Sequence, residues 1–151
     1  MQSDLNSLSI GFIIGQTYRK MSNVFAMRLR EHDMTTEQFS VLHRLYQTDG
    51  ISQKEIAERT VKDQPTTARI LDLLIRKELV RKEMSPTDRR SFLVFLTPSG
   101  RNKTELLIPI EQGVVQDIFG DIDSSELDQL RQTLLSLHSR LESLLEGGGR
   151  S

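Results

Sequence analysis

The chemistry open to this chain is narrowed first by what it lacks. None of its 151 residues is cysteine, which removes thiolate nucleophiles, disulfides, redox-sensing thiols and Cys-based zinc sites together. The three histidines, His32, His43 and His138, are far apart and form no Glu/His cluster at helical spacing, so metal sensing is disfavoured. No nucleophile–base pair stands out, and Gly11-x-x-x-Gly15 falls on a helix and matches no phosphate-binding spacing. The sequence therefore supplies no catalytic residue, no metal site and no cofactor. What it does supply is segregated charge. Residues 51–103 hold twelve Lys/Arg against seven Asp/Glu, whereas residues from Thr104 onward hold nine carboxylates against three arginines. The net charge of −1 conceals this division. A basic middle between neutral and acidic flanks predicts an anionic partner for the middle alone.

The length predicts a single domain with a self-sufficient core. At 36% hydrophobic and 27% charged residues, the balance is that of an ordinary soluble chain. The longest apolar run, Ile10 to Ile14, is broken by Gly11 and is far short of the ~20 residues of a membrane span. Met1-Gln2-Ser3-Asp4 shows no basic n-region. The expectation is a cytoplasmic protein without a membrane partner.

Several elements must position the basic middle. Leu5 to Arg30 reads as a long helix with Leu8, Phe12, Ile13, Tyr18, Met21, Phe25 and Leu29 at three- and four-residue spacings. Thr35 and Gln38 form a T-x-x-Q capping box opening a second helix, and Ser52 and Glu55 an S-x-x-E box opening a short third one that buries Ile56 and Ala57. Asp63 can cap a fourth helix, with Pro65 in its first turn, running to about Lys77. The period then changes to two. Leu79–Glu83 and Ser91–Leu96 read as a β-hairpin around the basic turn Ser85-Pro86-Thr87-Asp88-Arg89-Arg90. Thr97-Pro98 restarts a helix that Pro109 and Gly113 should kink or interrupt. Ser124 or Asp123 caps a last helix in which Leu127, Leu130, Leu134, Leu137, Leu141 and Leu144 form a heptad seam. Gly147 to Ser151 reads as a flexible tail or a cloning scar.

The order helix, turn, helix, basic hairpin is that of a winged helix-turn-helix. At 100° per residue the fourth helix turns Thr67, Ile70, Leu71, Leu74 and Ile75 to the core. Pro65, Arg69, Asp72 and Arg76 lie opposite, with Gln64, Thr66 and Ala68 at the flanks. Such a face suits the major groove: short polar groups near the helix N-terminus, and arginine for a guanine edge or a phosphate. A solvated amphipathic helix with an Asp72–Arg76 pair is the bland alternative. Arg89 and Arg90, at a hairpin tip beside the same helix, favour the first reading.

These residues carry a resemblance to a known family. Asp88-Arg89-Arg90-Ser91 followed by an apolar strand and Leu96-Thr97-Pro98-Ser99-Gly100 resembles the wing signature of the MarR (multiple antibiotic resistance regulator) family, D-x-R-[ST] with L-T-x-x-G. Ile51 to Ala57 is similar to that family's first helix-turn-helix element, Met34 to Leu42 to the start of its second helix, and Asp63 to Asp72 to its recognition helix. Pro65 replaces a more usual serine, and Glu78 stands where glycine commonly ends the helix.

The resemblance implies a mainly α fold with a small β-hairpin wing: a winged helix-turn-helix lobe plus a helical dimerisation region. Within a MarR-type domain spanning 5–146, residues 34–97 would form the DNA-binding lobe, with helix-turn-helix 52–77 and wing 79–97. Helices in 5–31 and 98–146 would build the dimer. The implied function is sequence-specific binding of a pseudo-palindromic operator by a homodimeric regulator, read as a ligand-responsive repressor. A winged-helix protein-interaction module without DNA binding is the alternative.

The expected DNA-facing residues are Ser52, Gln53, Lys62, Gln64, Pro65, Thr66, Thr67, Arg69, Arg76, Arg89 and Arg90, with Asp88 orienting a wing arginine. Tyr18, Met21, Phe25, Phe39 and His43 could line a pocket for a small aromatic or phenolic effector, although core packing also accounts for the apolar ones. The leucine seam independently asks for a partner surface, unless it is buried within one chain against the first helix.

Overall fold

The structure, a computed structural model, describes residues 9–60 and 62–148. Six helices and three short strands follow one another as α1 (Ile10–Arg30), α2 (Thr36–Gln47), β1 (Ile51–Ser52), α3 (Gln53–Thr60), α4 (Gln64–Arg76), β2 (Val80–Met84), β3 (Phe92–Leu96), α5 (Pro98–Phe119) and α6 (Ser124–Gly148). The mainly α winged-helix class expected from the sequence is the one observed. The chain divides into two compact units, one up to Val114 and one from Val115 onward.

Most helix starts are where their capping residues place them. Thr35 and Gln38 form the reciprocal box that opens α2, Oγ1 of Thr35 accepting from Gln38 N at 3.1 Å and Oε1 of Gln38 from Thr35 N at 3.3 Å. Ser52 caps α3 through Glu55 N, but the Glu55 carboxylate turns to Arg59, 3.5 Å away, so only half of that second box forms. Asp63 accepts from Thr66 N at 2.7 Å and Pro65 sits in the first turn of α4, where its missing N–H leaves no ladder bond unmade. α1 is opened at Ile10 by Ser9 as its cap; the expected stretch from Leu5 to Leu8 lies outside the described residues.

Three expectations need correction. Ile51 and Ser52 form a strand, with Ile51 opposite Val94 and Ser52 opposite Leu93, before the third helix begins. This completes an antiparallel sheet of order β1-β3-β2, registered by Val80 opposite Leu96 and Met84 opposite Phe92. Second, Pro109 and Gly113 do not interrupt α5, whose helical assignment continues through both. A proline removes one N–H donor from the ladder, and full turns on both sides of it sustain the helix. Third, α6 continues through Gly147 and Gly148, so the expected flexible tail does not begin at Gly147. Residues 149–151 lie outside the described residues.

The core of the first unit is built from every element of the lobe. Phe39, Val41, Leu42 and Leu45 of α2, Ile56 of α3, and Ile70, Leu71 and Leu74 of α4 close on Val80, Val94 and Leu96 of the sheet, with Leu29 of α1 and Leu107 of α5 enclosed among them. At ~25 cal/mol per Å² of apolar surface removed from water, each such side chain contributes roughly 1.5–3 kcal/mol, which fixes how α4 stands against the sheet.

The end of α4 is set by backbone hydrogen bonds. Leu79 N donates to Leu74 O and Glu78 N to Ile75 O, the paired bonds of a Schellman motif, with Glu78 in the left-handed region at φ 61°. Thr97 locks the wing to this corner: its N–H donates to Leu79 O, its hydroxyl donates to Glu78 O, and its Oγ1 accepts from Gly100 N. Gly100 is required here, because a Cβ at this position would lie 1.9 Å from the Leu79 carbonyl oxygen.

The second unit is a helical hairpin from the end of α5 into α6. Asp123 O accepts the first helical bond, from Leu127 N, which resolves the cap in favour of Asp123. Val115, Phe119, Leu127, Leu130, Leu134 and Leu135 line an apolar groove of about 520 Å³ with Arg131 and His138. α6 has no buried residue, and Leu134 and Leu141 of the seam are 44% and 57% exposed.

Candidate nucleic-acid interface

One face of the first unit gathers the polar and basic residues of three elements. Ser52 and Gln53 at the β1–α3 junction, Gln64 at the start of α4, and Asp88, Arg90 and Ser91 of the wing line one groove of about 430 Å³. Lys54 and Lys82 complete its basic wall, and Phe92 and Val94 form its apolar floor. Sequence reading anticipated Ser52, Gln53, Gln64 and Arg90 but missed the two lysines. Lys54 adjoins the anticipated pair, and Lys82 is two residues beyond the buried Val80, so the basic count of 51–103 was the available signal for both. Three cations against one carboxylate make the groove attractive to an anion.

The tip of the wing is held by its own side chains. Ser85 Oγ accepts from Thr87 N at 3.4 Å and Asp88 N at 3.3 Å, and Ser85 N donates to Ser91 O. Asp88 was expected to orient an arginine. Its Oδ1 instead accepts from the backbone N–H of Arg90 at 2.9 Å, so it fixes the Arg90 main chain and leaves the guanidinium unconstrained by it. Arg89 and Arg90 are both exposed.

Along α4, Gln64, Pro65, Arg69 and Arg76 are exposed and Thr66 is half-buried, as is Lys62 just before the helix. The Asp72–Arg76 pair that helical spacing permits does not form; Arg69 instead reaches Glu37 of α2 at 3.2 Å. Thr67 is a correction to the DNA-facing set. Its side chain is wholly enclosed and its hydroxyl donates to Asp63 O at 2.9 Å, so it braces the first turn from the core side.

The Asp63 carboxyl is held below the ordinary carboxylate range, first by the backbone N–H of Thr66, then by the Thr66 hydroxyl, with Arg69 adding a smaller attraction. A carboxyl with a lowered folded-state pKa contributes stability that is complete above its unfolded value and is lost as the pH falls through the lowered one. Replacement by the neutral cap asparagine should therefore cost stability at pH 7 and cost progressively less as the pH falls from about 5 towards 2. Urea denaturation of wild type and Asp63→Asn across that range checks this. A difference independent of pH would contradict it.

The residues expected to line an effector pocket lie on α1 and α2. Phe39 is a core residue, 2% exposed, edge-on to Phe25 at 5.6 Å and stacked on His43 at 5.4 Å, whereas Tyr18 is exposed. The Phe25, Phe39 and His43 rings pack on one another, and neither groove described above is lined by them. Among the described residues no three His, Asp or Glu side chains converge on a possible metal position, and no helix is long and apolar enough to cross a membrane.

The MarR family model matches residues 34–92, from two residues before α2 to the first residue of β3. The chain is 28% identical over 117 residues to the HTH-type transcriptional repressor NicR of Pseudomonas putida, covering 78% of this chain and 74% of the relative. Among solved structures it is similar to Staphylococcus aureus MepR in complex with DNA, with a TM-score of 0.83, 26% identity, and 89% and 99% of the two chains covered. It is also similar to Bordetella bronchiseptica BpsR, whose DNA binding is regulated by 6-hydroxynicotinic acid, with a TM-score of 0.78, 26% identity, and 85% and 98% covered.

Proposed function

The chain belongs to the MarR family of transcriptional regulators, and from that premise we propose that it is a homodimeric repressor that occupies a pseudo-palindromic operator in the cytoplasm and releases it when a small effector binds. Residues 34–97 are the DNA-binding lobe, and helices from 5–31 and 98–146 are the dimerisation region. The observation that carries the reading is the groove shared by the α4 N-terminus and the wing, where Gln64, Lys54, Lys82 and Arg90 meet. α4 presents its exposed face to the major groove, Arg69 to a base edge and Arg76 to the backbone, while Ser52, Gln53 and Lys62 steady the approach. Arg89 and Arg90 reach the flanking minor groove, whose base pattern is degenerate and whose phosphate walls dominate. NicR is a repressor and MepR is seen on DNA, which supports the same assignment for this chain. The effector class follows BpsR: a small aromatic, phenolic in the widest sense, for which Tyr18, Met21, Phe25 and His43 remain the candidate contacts.

A regulator that touches phosphates through the wing should show it in salt. Arg90→Ala is expected to weaken binding to operator and random duplex together and to flatten the slope of log K against log[salt] by about one unit. Fluorescence anisotropy at several salt concentrations measures both. An altered sequence preference with the slope intact would make Arg90 a base reader instead.

A further inference from the structure

The ion pair between Arg69 and Glu37 joins residues 32 apart in sequence; among the described residues it is the one hydrogen bond of the Arg69 side chain, and Asp63 adds a weaker electrostatic attraction. The side chains are 59% and 43% exposed, so the pair is open to solvent and contributes little to folding stability. Its geometry has a different consequence. The contact is a single Nη2–Oε2 approach at 3.2 Å, which engages one corner of the guanidinium. Arginine carries five N–H donors in a rigid plane, so its remaining donors suffice for the two bonds that a guanine edge accepts.

The backbone of Glu37 is itself firmly placed. It lies in the first turn of α2, where the helix dipole favours a carboxylate, directly before Gln38 of the Thr35–Gln38 box. Lys77, at the far end of α4, donates to Gln38 Oε1 at 3.2 Å and to Asp33 O at 2.6 Å, tying the start of α2 to α4 a second time. An arginine free on an exposed helix face would have its long rotamer set to lose on binding. One paired with a carboxylate on a capped helix turn has already lost part of it.

We propose that Glu37 is a specificity-determining positioning residue: it holds the Arg69 guanidinium in the orientation that reads a base, without touching DNA itself. The inference rests on the DNA-binding reading above. A carboxylate near the interface also repels phosphates, so removing it raises affinity for every sequence alike. Operator affinity by itself therefore mixes two effects. The ratio of operator to random-sequence affinity isolates the positioning.

The test is a double-mutant cycle on the full-length protein. The probes are a duplex enriched from a random pool by the wild-type protein and a random-sequence duplex of the same length. Arg69→Ala should lower the discrimination ratio roughly tenfold. Glu37→Ala should lower it by a comparable factor, with non-operator affinity unchanged or higher and the thermal midpoint preserved. The double variant should be no worse than Arg69→Ala alone. Glu37→Gln, whose amide oxygen can still accept the bond, should recover most of the ratio. Full discrimination in Glu37→Ala overturns the proposal, as does increased discrimination, which would make Glu37 a competitor for Arg69. Additive losses in the cycle overturn it as well. Failure of the wild-type protein to enrich any sequence would overturn the sequence-specific DNA-binding reading and this inference with it.

Discussion

Gly100→Ala should destabilise the protein by about 3 kcal/mol, because the new Cβ has nowhere to go. It would lie 1.9 Å from the Leu79 carbonyl oxygen and 2.8 Å from its carbon, and both neighbours are backbone rather than a side chain that can rotate away. Relief requires α5 to move off the residue that closes the Schellman motif of α4. That same carbonyl accepts the Thr97 N–H, so the displacement reaches both the recognition helix and the base of the wing. At the ~2–4 °C per kcal/mol usual for a chain of this size, thermal unfolding should fall by about 10 °C. Gly113→Ala is the matching control. Its Cβ would meet nothing within 4 Å, and alanine is the better helix former by about 1 kcal/mol, so no loss is expected. Equal effects of the two substitutions would show that close packing at Leu79 is not what requires the glycine.

The second large effect is expected at Leu137. The leucines of α6 are exposed along one face of a helix with no buried residue, and a contiguous apolar stripe of that length calls for a covering surface. If a second copy provides it, Leu137→Asp both removes a leucine contact and leaves a charge unpaired in an apolar seam. The combined cost is about 3 kcal/mol or more per chain, and two-fold symmetry applies it twice. About 6 kcal/mol weakens association roughly 10⁴-fold. Sedimentation equilibrium at micromolar concentration should give ~35 kDa for the wild type, twice 17.3 kDa, and a monomer or unfolded chain for the variant, with operator binding lost in parallel. Ser139→Asp, on the opposite side of the heptad, should leave the mass unchanged. A folded wild-type monomer at that concentration would remove the dimer from the account.

What could be read from the sequence was local. Thr35 with Gln38, and Asp63 with Pro65, specify helix starts through bonds three residues long, and all of them form. The period change after Leu79 gave the hairpin because alternation over five residues is a strong signal. β1 was missed because two residues carry no period, and its existence depends on β3 arriving opposite Ile51. The site followed the same rule. The outward face of α4 followed from 100° per residue, which also put Thr67 on the core side where it lies; naming it among the DNA-facing residues went against that projection. The Arg69–Glu37 pair, the Asp88 bond to Arg90 N and the approach of Lys54 and Lys82 to one groove arise from tertiary packing or a specific turn geometry, and composition announced them only as net positive charge.

The central claim is that two α4 helices related by a two-fold axis read DNA sequence together. Selection of bound duplexes from a random pool tests it most directly. Two such helices should enrich an inverted repeat whose half-sites are centred about one helical turn apart, ~34 Å, each bound by one lobe of the dimer. Enrichment of no sequence, or of a single half-site without its inverted partner, would contradict it.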